Sequence, residues 1–245
     1  MIVKIFQYIW SKYKNHNDMK KLLTLFCICA LSFSAFAQEE KTDLPKPVSP
    51  ALTALQTGAS LAQYGYDNYS PTALAEAARI IGTAQTQAFE FTRSGEVATD
   101  EEVTKETGAT YDPMKLLADA KKYAGKDKAV LTLIKKTEKE IQSAEGQTRG
   151  VVGGAKSMED RVMANSTNAY KERFWGGEPA EVLVFGDGDT DLDLYIYDEN
   201  NNLITSDTDY TDICICRWNP IWTGYFIIKV VNRGSVYNEY VIATN

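Results

Sequence analysis

Four aspartates, Asp187, Asp189, Asp191 and Asp193, stand at every second position, and Asp207, Asp209 and Asp212 follow as a second group. Carboxylates crowded in this way repel one another unless a cation or solvent relieves them. Calcium suits such a set, because it takes several oxygen ligands from carboxylates, carbonyls and water. A chain reversal at Asn200 to Asn202 would bring the two groups together. The expected ligands of a Ca2+ ion are therefore Asp187, Asp189, Asp191, Asp193, Asp207 and Asp209. A solvated acidic rim is the plain alternative, and paired carboxylates can also do acid–base hydrolysis.

Sharper chemistries fail on the residues. An EF-hand starting at Asp187 needs glycine at its sixth position and glutamate at its twelfth, where Leu192 and Asp198 stand. The Asp-Thr/Ser-Gly signature of an aspartic protease is absent. A sandwich glycosidase commonly sets two glutamates around an aspartate on one strand. Here Asp191 and Asp193 are followed by Tyr195, so the third acid is missing. The chain has one histidine, His16, ahead of an expected export signal. A mature chain without it can build neither a Ser-His-Asp nor a Cys-His nucleophile system, nor a histidine zinc site. Catalytic and organic-cofactor residues are expected to be none.

The elements that must carry the aspartates follow from composition and patterning. Met19, Lys20 and Lys21, an apolar run from Leu22 to Phe36, and the small-x-small triplet Ala35 to Ala37 read as a secretory signal. Met19 is the better start, and residues 1–37 are expected to be removed so that the mature chain begins at Gln38. The apolar run, about 16 residues, is short of the roughly 20 that a spanning helix needs. Neither Cys27 nor Cys29 has a lipoprotein context. The expectation is an exported protein, periplasmic or extracellular, with no membrane span after cleavage. Loss of five lysines and one aspartate takes the net charge from -7 to -11. So acidic a chain repels a phosphate backbone, which excludes nucleic acid as the expected partner.

Residues 38–50 are polar and proline-bearing, a linker. Residues 51–175 read as a helical region. Ala51 to Tyr64 is rich in alanine and leucine. Ser70-Pro71 and Asp112-Pro113 each join an N-cap to a proline in the first turn. Leu74, Ala77, Ala78 and Ile81 follow the first pair, and Leu116, Leu117 and Ala120 the second, at helical spacing. The shared Tyr-x-Pro-x-x-Leu pattern indicates either two related hairpins or two helices that start alike. Gly125 ends one helix, and Ala129 to Ile141 forms another with a solvated Lys/Glu run. Residues 94–110 read as a loop, 150–154 as a break, and Ser157 to Arg173 as a further amphipathic or partly ordered stretch.

Residues 176–245 read as strands. From residue 178 onward there are twelve acids and three bases, so the acidity is local. Leu192, Leu194 and Ile196 alternate with Asp193, Tyr195 and Tyr197, the pattern of a half-buried strand. At least six short strands in under 70 residues pack most naturally as an antiparallel β-sandwich. The fold class is α+β: a helical N-terminal region followed by a small sandwich. Trp218 and Trp222 belong either to its core or to its face. Cys214 and Cys216 share a strand face, where a mutual disulfide would be strained, and read as small buried thiols or as bridged cysteines.

Gly186 to Asp198, Ser206 to Asp209 and Trp222 to Val230 together resemble the bacterial pre-peptidase C-terminal domain, over about residues 176–245. That resemblance implies a non-catalytic secreted β-sandwich, with ion ligands carried to Asp187, Asp189, Asp191 and Asp193. Members of that family bind calcium or substrate polymers such as collagen. This chain departs from the pattern in having about 140 helical residues where a peptidase would stand. The expected function is a secreted non-enzymatic binding or structural module for an unidentified protein or polymer ligand, with calcium as the expected ion of its acidic sandwich. The alternatives are an adaptor acting through the helical half, or a carboxylate-based hydrolase.

Overall fold

The computed structural model describes residues 49–84, 86–93, 111–145 and 155–245. The expected export signal, the lead-in 38–48, the loop 94–110 and the break 150–154 lie outside the described residues. The chain divides into Met1–Leu44 and Pro45–Asn245, and everything described belongs to the second unit.

Among the described residues, four helices come first. Helix α1 (Pro50–Asp67) opens on Ser49, whose hydroxyl accepts from the Leu52 amide, and α2 (Pro71–Thr83) opens on Ser70 in the same way. In both, proline occupies the first turn, where its missing N–H costs nothing. Helix α3 (Pro113–Ala124) is capped by Asp112, which accepts from Lys115 N at 2.8 Å. Helix α4 (Lys128–Glu145) starts beside Asp127, whose Oδ1 accepts from Ala129 N and Val130 N. A Cβ on Gly58 would lie 2.5 Å from Ile81 Cγ1, so glycine is what lets α1 lie this close to α2. No described helix is long and apolar enough to cross a membrane.

Among the described residues, ten strands form two sheets. They are β1 (Gln87–Ala88), β2 (Thr92–Arg93), β3 (Lys156–Val162), β4 (Thr167–Phe174), β5 (Ala180–Gly186), β6 (Leu192–Asp198), β7 (Leu203–Asp207), β8 (Ile213–Trp218), β9 (Gly224–Asn232) and β10 (Asn238–Thr244). The first sheet has the order β1-β3-β10-β5-β8 and the second β2-β4-β9-β6-β7. All pairings are antiparallel except β1 with β3. The result is the expected α+β class, with a β-sandwich and no barrel.

Residues 156–174 depart from the expected helical region. They form β3 and β4, and four further residues form β1 and β2. The reason is remote pairing: β3 lies along β10, and β4 along β9, 50 or more residues later. Tyr170 and Phe174 point into the sandwich while Lys171 and Arg173 point out. A polar strand of this kind carries too little apolar alternation to be distinguished locally from an amphipathic helix.

Two apolar cores account for the layering. Val182, Val184, Leu194, Ile196, Phe226, Ile228 and Ile242 meet between the sheets. Leu183, Phe185 and Ala243 leave the opposite face of the first sheet and pack against Leu52, Leu55, Leu74, Leu116 and Ile141 of the helices. Strand β5 is buried along its whole length for this reason. The first sheet is thus a middle layer, helices on one side and the second sheet on the other. Each large apolar side chain buried there contributes about 1.5–3 kcal/mol. A buried ion pair adds a polar tie. Glu181 on β5 accepts from Arg217 Nε on β8 at 2.9 Å and from Ser49 N, the α1 cap, at 3.3 Å.

Trp218 belongs to the inter-sheet core, whereas Trp222 lies half-exposed, stacked on Phe226 at 5.7 Å. Cys214 and Cys216 are buried free thiols. Cys214 Sγ donates to Leu192 O, and burial pushes the Cys216 thiol up to about 12.

Candidate functional site

The aspartates collect at one end of the sandwich, where β5 ends and β6 and β8 begin. The Asn200 to Asn202 reversal is formed, with Asn201 at φ +62° and Asp198 accepting from the amides of Asn200 and Asn202. These bonds hold the Asp198 carboxyl below the usual range, the Asn202 side-chain contact contributing most. The hairpin sets Asp207 across from Leu194, and Leu192 N donates to Thr211 O at 3.2 Å, so the two acidic segments are neighbours.

Asp187 is buried, and its Oδ2 accepts from Glu239 N at 3.0 Å, tying β5 to β10. Asp212 is also buried and accepts from the amide of Gly188. Gly188 makes that turn at φ +83°, a conformation that glycine adopts at little cost. Burial pushes the Asp212 carboxyl up to about 6. The Gly188 N–H opposes that rise, and Asp187 and Asp189 add to it. Asp189 itself is exposed. Asp191 Oδ1 is buried without a hydrogen-bond partner. Its carboxyl is raised by burial, then by Asp193 and Asp209, with Arg233 opposing.

The other three are engaged differently. Asp193 is buried and takes Arg233 Nε at 2.6 Å and Nη2 at 2.5 Å on one oxygen, which Tyr195 OH also reaches at 3.0 Å. Asp207 accepts from Ile215 N at 2.8 Å, and burial raises its carboxyl. Asp209 accepts from Thr211 N and Oγ1 and closes its own turn. Among the described residues, no group of three or more His, Cys, Asp or Glu is arranged to hold a metal ion. Asp193, matched by a guanidinium, and Asp209, spent on its turn, fit a cation least. Asp191 keeps an orphaned buried oxygen, and the Asp212 carboxyl is raised mainly by burial, with Asp187 and Asp189 adding to it.

Arg233 was invisible as a partner from sequence because it stands 40 residues from Asp193. Only the antiparallel β6–β9 register, with Asp193 opposite Val231, makes them neighbours. A separate cleft of about 770 Å³ lies between α1, α2, β1 and β3, lined by Leu55, Ile81, Phe89, Met158 and Glu159. None of the six aspartates lines it.

No family model matches the chain, and no curated protein matches it. Among solved structures, the chain is similar to the pre-peptidase C-terminal domain of a Bacillus anthracis collagenase, at 10% identity and TM-score 0.33, over 36% of this chain and 87% of that one. It is also similar to a Yersinia pseudotuberculosis-derived mitogen, at 10% identity and TM-score 0.32, covering 38% and 86%. A third is PliG of Aeromonas hydrophila, a periplasmic inhibitor of g-type lysozyme, at 12% identity and TM-score 0.30, covering 37% and 84%.

Proposed function

We propose that this chain is an exported, non-enzymatic binding or structural module, and that its acidic loop end takes a divalent cation, calcium by its chemistry. The observation that carries this is the division of labour among the carboxylates. Asp187, Asp207 and Asp212 accept backbone amides and tie strands and loops together, a structural use. The Asp212 carboxyl is raised by burial and then by Asp187 and Asp189, and Asp191 keeps an orphaned oxygen, so a cation at this end would relieve unsatisfied carboxylates. Calcium tolerates irregular oxygen sets completed by carbonyls and water. No three carboxylates stand ready-arranged among the described residues, so Asp187, Asp189, Asp191 and Asp212 would close around the ion on binding, and its part would be charge neutralisation that stiffens the loops. The likeness of residues 176–245 to a pre-peptidase C-terminal domain supports the module reading, and the Met19 to Ala37 pattern supports export.

The test is thermal unfolding with added calcium and with EDTA. Calcium should raise the melting temperature of the wild type by a few degrees and EDTA should lower it. An Asp189→Asn/Asp191→Asn variant should respond to neither. A wild type indifferent to both treatments removes the cation from the proposal. N-terminal sequencing of exported protein should begin at Gln38, and retention of residues 19–37 contradicts export by cleavage.

A further inference from the structure

The outer face of the second sheet has a character opposite to the acidic end. Residues 178–245 hold only three bases, Arg217, Lys229 and Arg233. Arg217 is buried against Glu181, and the other two reach this outer face or its end. Strand β4 adds Lys171 and Arg173, both pointing outward. The face thus gathers four cations. Two are matched by carboxylates: Lys171 with Glu199 at 3.6 Å, and Arg233 with Asp193.

The register arranges the cations as a diagonal. Arg173 lies opposite Tyr225, Lys171 opposite Ile227, and Lys229 opposite Ala169. Adjacent rows on one face are about 7 Å apart, two residues along a strand. Aromatic rings interleave with the charges. Arg173 sits over Trp175 at 4.8 Å, Lys171 over Tyr225 at 4.6 Å and Lys229 over Tyr197 at 4.4 Å. Tyr197 packs beside Tyr195, and Leu203 pairs with Tyr197 at the far edge. Trp175, Tyr225 and Leu203 are 58%, 44% and 53% exposed, so this is open surface.

From this surface we infer that the outer face of the second sheet binds an acidic polysaccharide, a polymer of uronic acid sugars. Three of the four cations, Lys171, Arg173 and Lys229, are held over rings at fixed spacing and would meet the carboxylates of the polymer. The phenol hydroxyls and Ser206 offer hydrogen bonds to sugar hydroxyls, and the ring edges and Leu203 cover the apolar C–H surface. The net charge that counts against a phosphate backbone opposes any polyanion at long range, so the attraction is local to this face, where four cations stand against Asp193 and Glu199. A nucleic acid strand fits less well. Single-strand binding needs uncovered ring faces for base stacking, and three of these rings already carry a cation. The inference rests on the binding-module reading and is independent of the cation at the acidic end.

Affinity electrophoresis of the full chain, with EDTA throughout, tests it. The gels would contain polygalacturonate or alginate, with neutral dextran, poly-glutamate and a single-stranded oligonucleotide as comparisons. Retention by the uronate polymers, weakened by salt and absent on dextran, is expected. Lys171→Gln/Lys229→Gln should weaken it about tenfold, the loss of two exposed charge contacts, at unchanged melting temperature. Arg173→Gln should weaken it independently. Equal retention on poly-glutamate, tighter binding to the oligonucleotide, or indifference to all three substitutions overturns the inference. Polymer that is retained and also loses viscosity keeps the face but overturns the non-enzymatic reading. Polymer neither retained nor shortened overturns the face and leaves that reading standing.

Discussion

Asp212→Asn should stabilise the protein at neutral pH and lose most of that advantage in acid. In the folded chain the Asp212 carboxyl is pushed up to about 6 from an ordinary 3.8, mainly by burial and further by Asp187 and Asp189. The native state therefore holds this proton more tightly than the unfolded chain does. Its contribution is fully present below 3.8 and is lost as pH rises through about 6, where the native state must carry a buried carboxylate. The gap between the two values, at about 1.36 kcal/mol per tenfold, sets a ceiling of about 3 kcal/mol. Asparagine removes the charge and keeps an oxygen for the Gly188 amide, so a gain of about 1–3 kcal/mol is expected near neutral pH. Near pH 4 the same reasoning leaves roughly half a kcal/mol. Urea unfolding followed by tryptophan fluorescence, with EDTA present, measures both. A variant no more stable than wild type at neutral pH refutes the reasoning, and so does a gain that is the same at both pH values.

Arg217→Leu should cost about 3–5 kcal/mol, because it leaves Glu181 charged and buried beside β8. Adding Glu181→Leu should recover much of that loss in urea unfolding, and a double variant as unstable as the single one contradicts a charge-based cost. Cys214 and Cys216 should resist thiol reagents in the native state, since burial raises both thiols. Peptide mapping should find both labelled only after denaturant, and labelling in the native protein would contradict the packing.

Much of the fold was legible where a local signal had a local cause. Ser70-Pro71, Asp112-Pro113 and the stripes behind them gave the helix starts, because caps and first-turn prolines act within four residues. The apolar-polar alternation of Leu192 to Tyr197 gave β6, and Asn200 to Asn202 gave the hairpin that makes the acidic segments neighbours. Strands β3 and β4 escaped because their stabilising partners, β10 and β9, lie far along the chain. The aspartate spacing and the hairpin together implied that the two acidic segments are neighbours, and they lie side by side at one end of the sandwich. The spacing did not reveal that Asp193 is matched by Arg233 or that Asp209 is spent on its own turn.

By itself the sequence determined where helices begin, that the C-terminal part is a sandwich, and that its acidity is concentrated in two short segments. Those are properties of neighbouring residues, set by capping, periodicity and composition. Tertiary structure alone decided the rest. It made the helices a third layer, because β5 carries Leu183 and Phe185 to one side and Val182 and Val184 to the other. It placed Lys171, Arg173 and Lys229 together on the outer face of the second sheet. And it determined which carboxylates tie strands, which meet a guanidinium, and which are left repelling one another. Strand pairing across tens of residues sets those distances, and charges interact through distance in space.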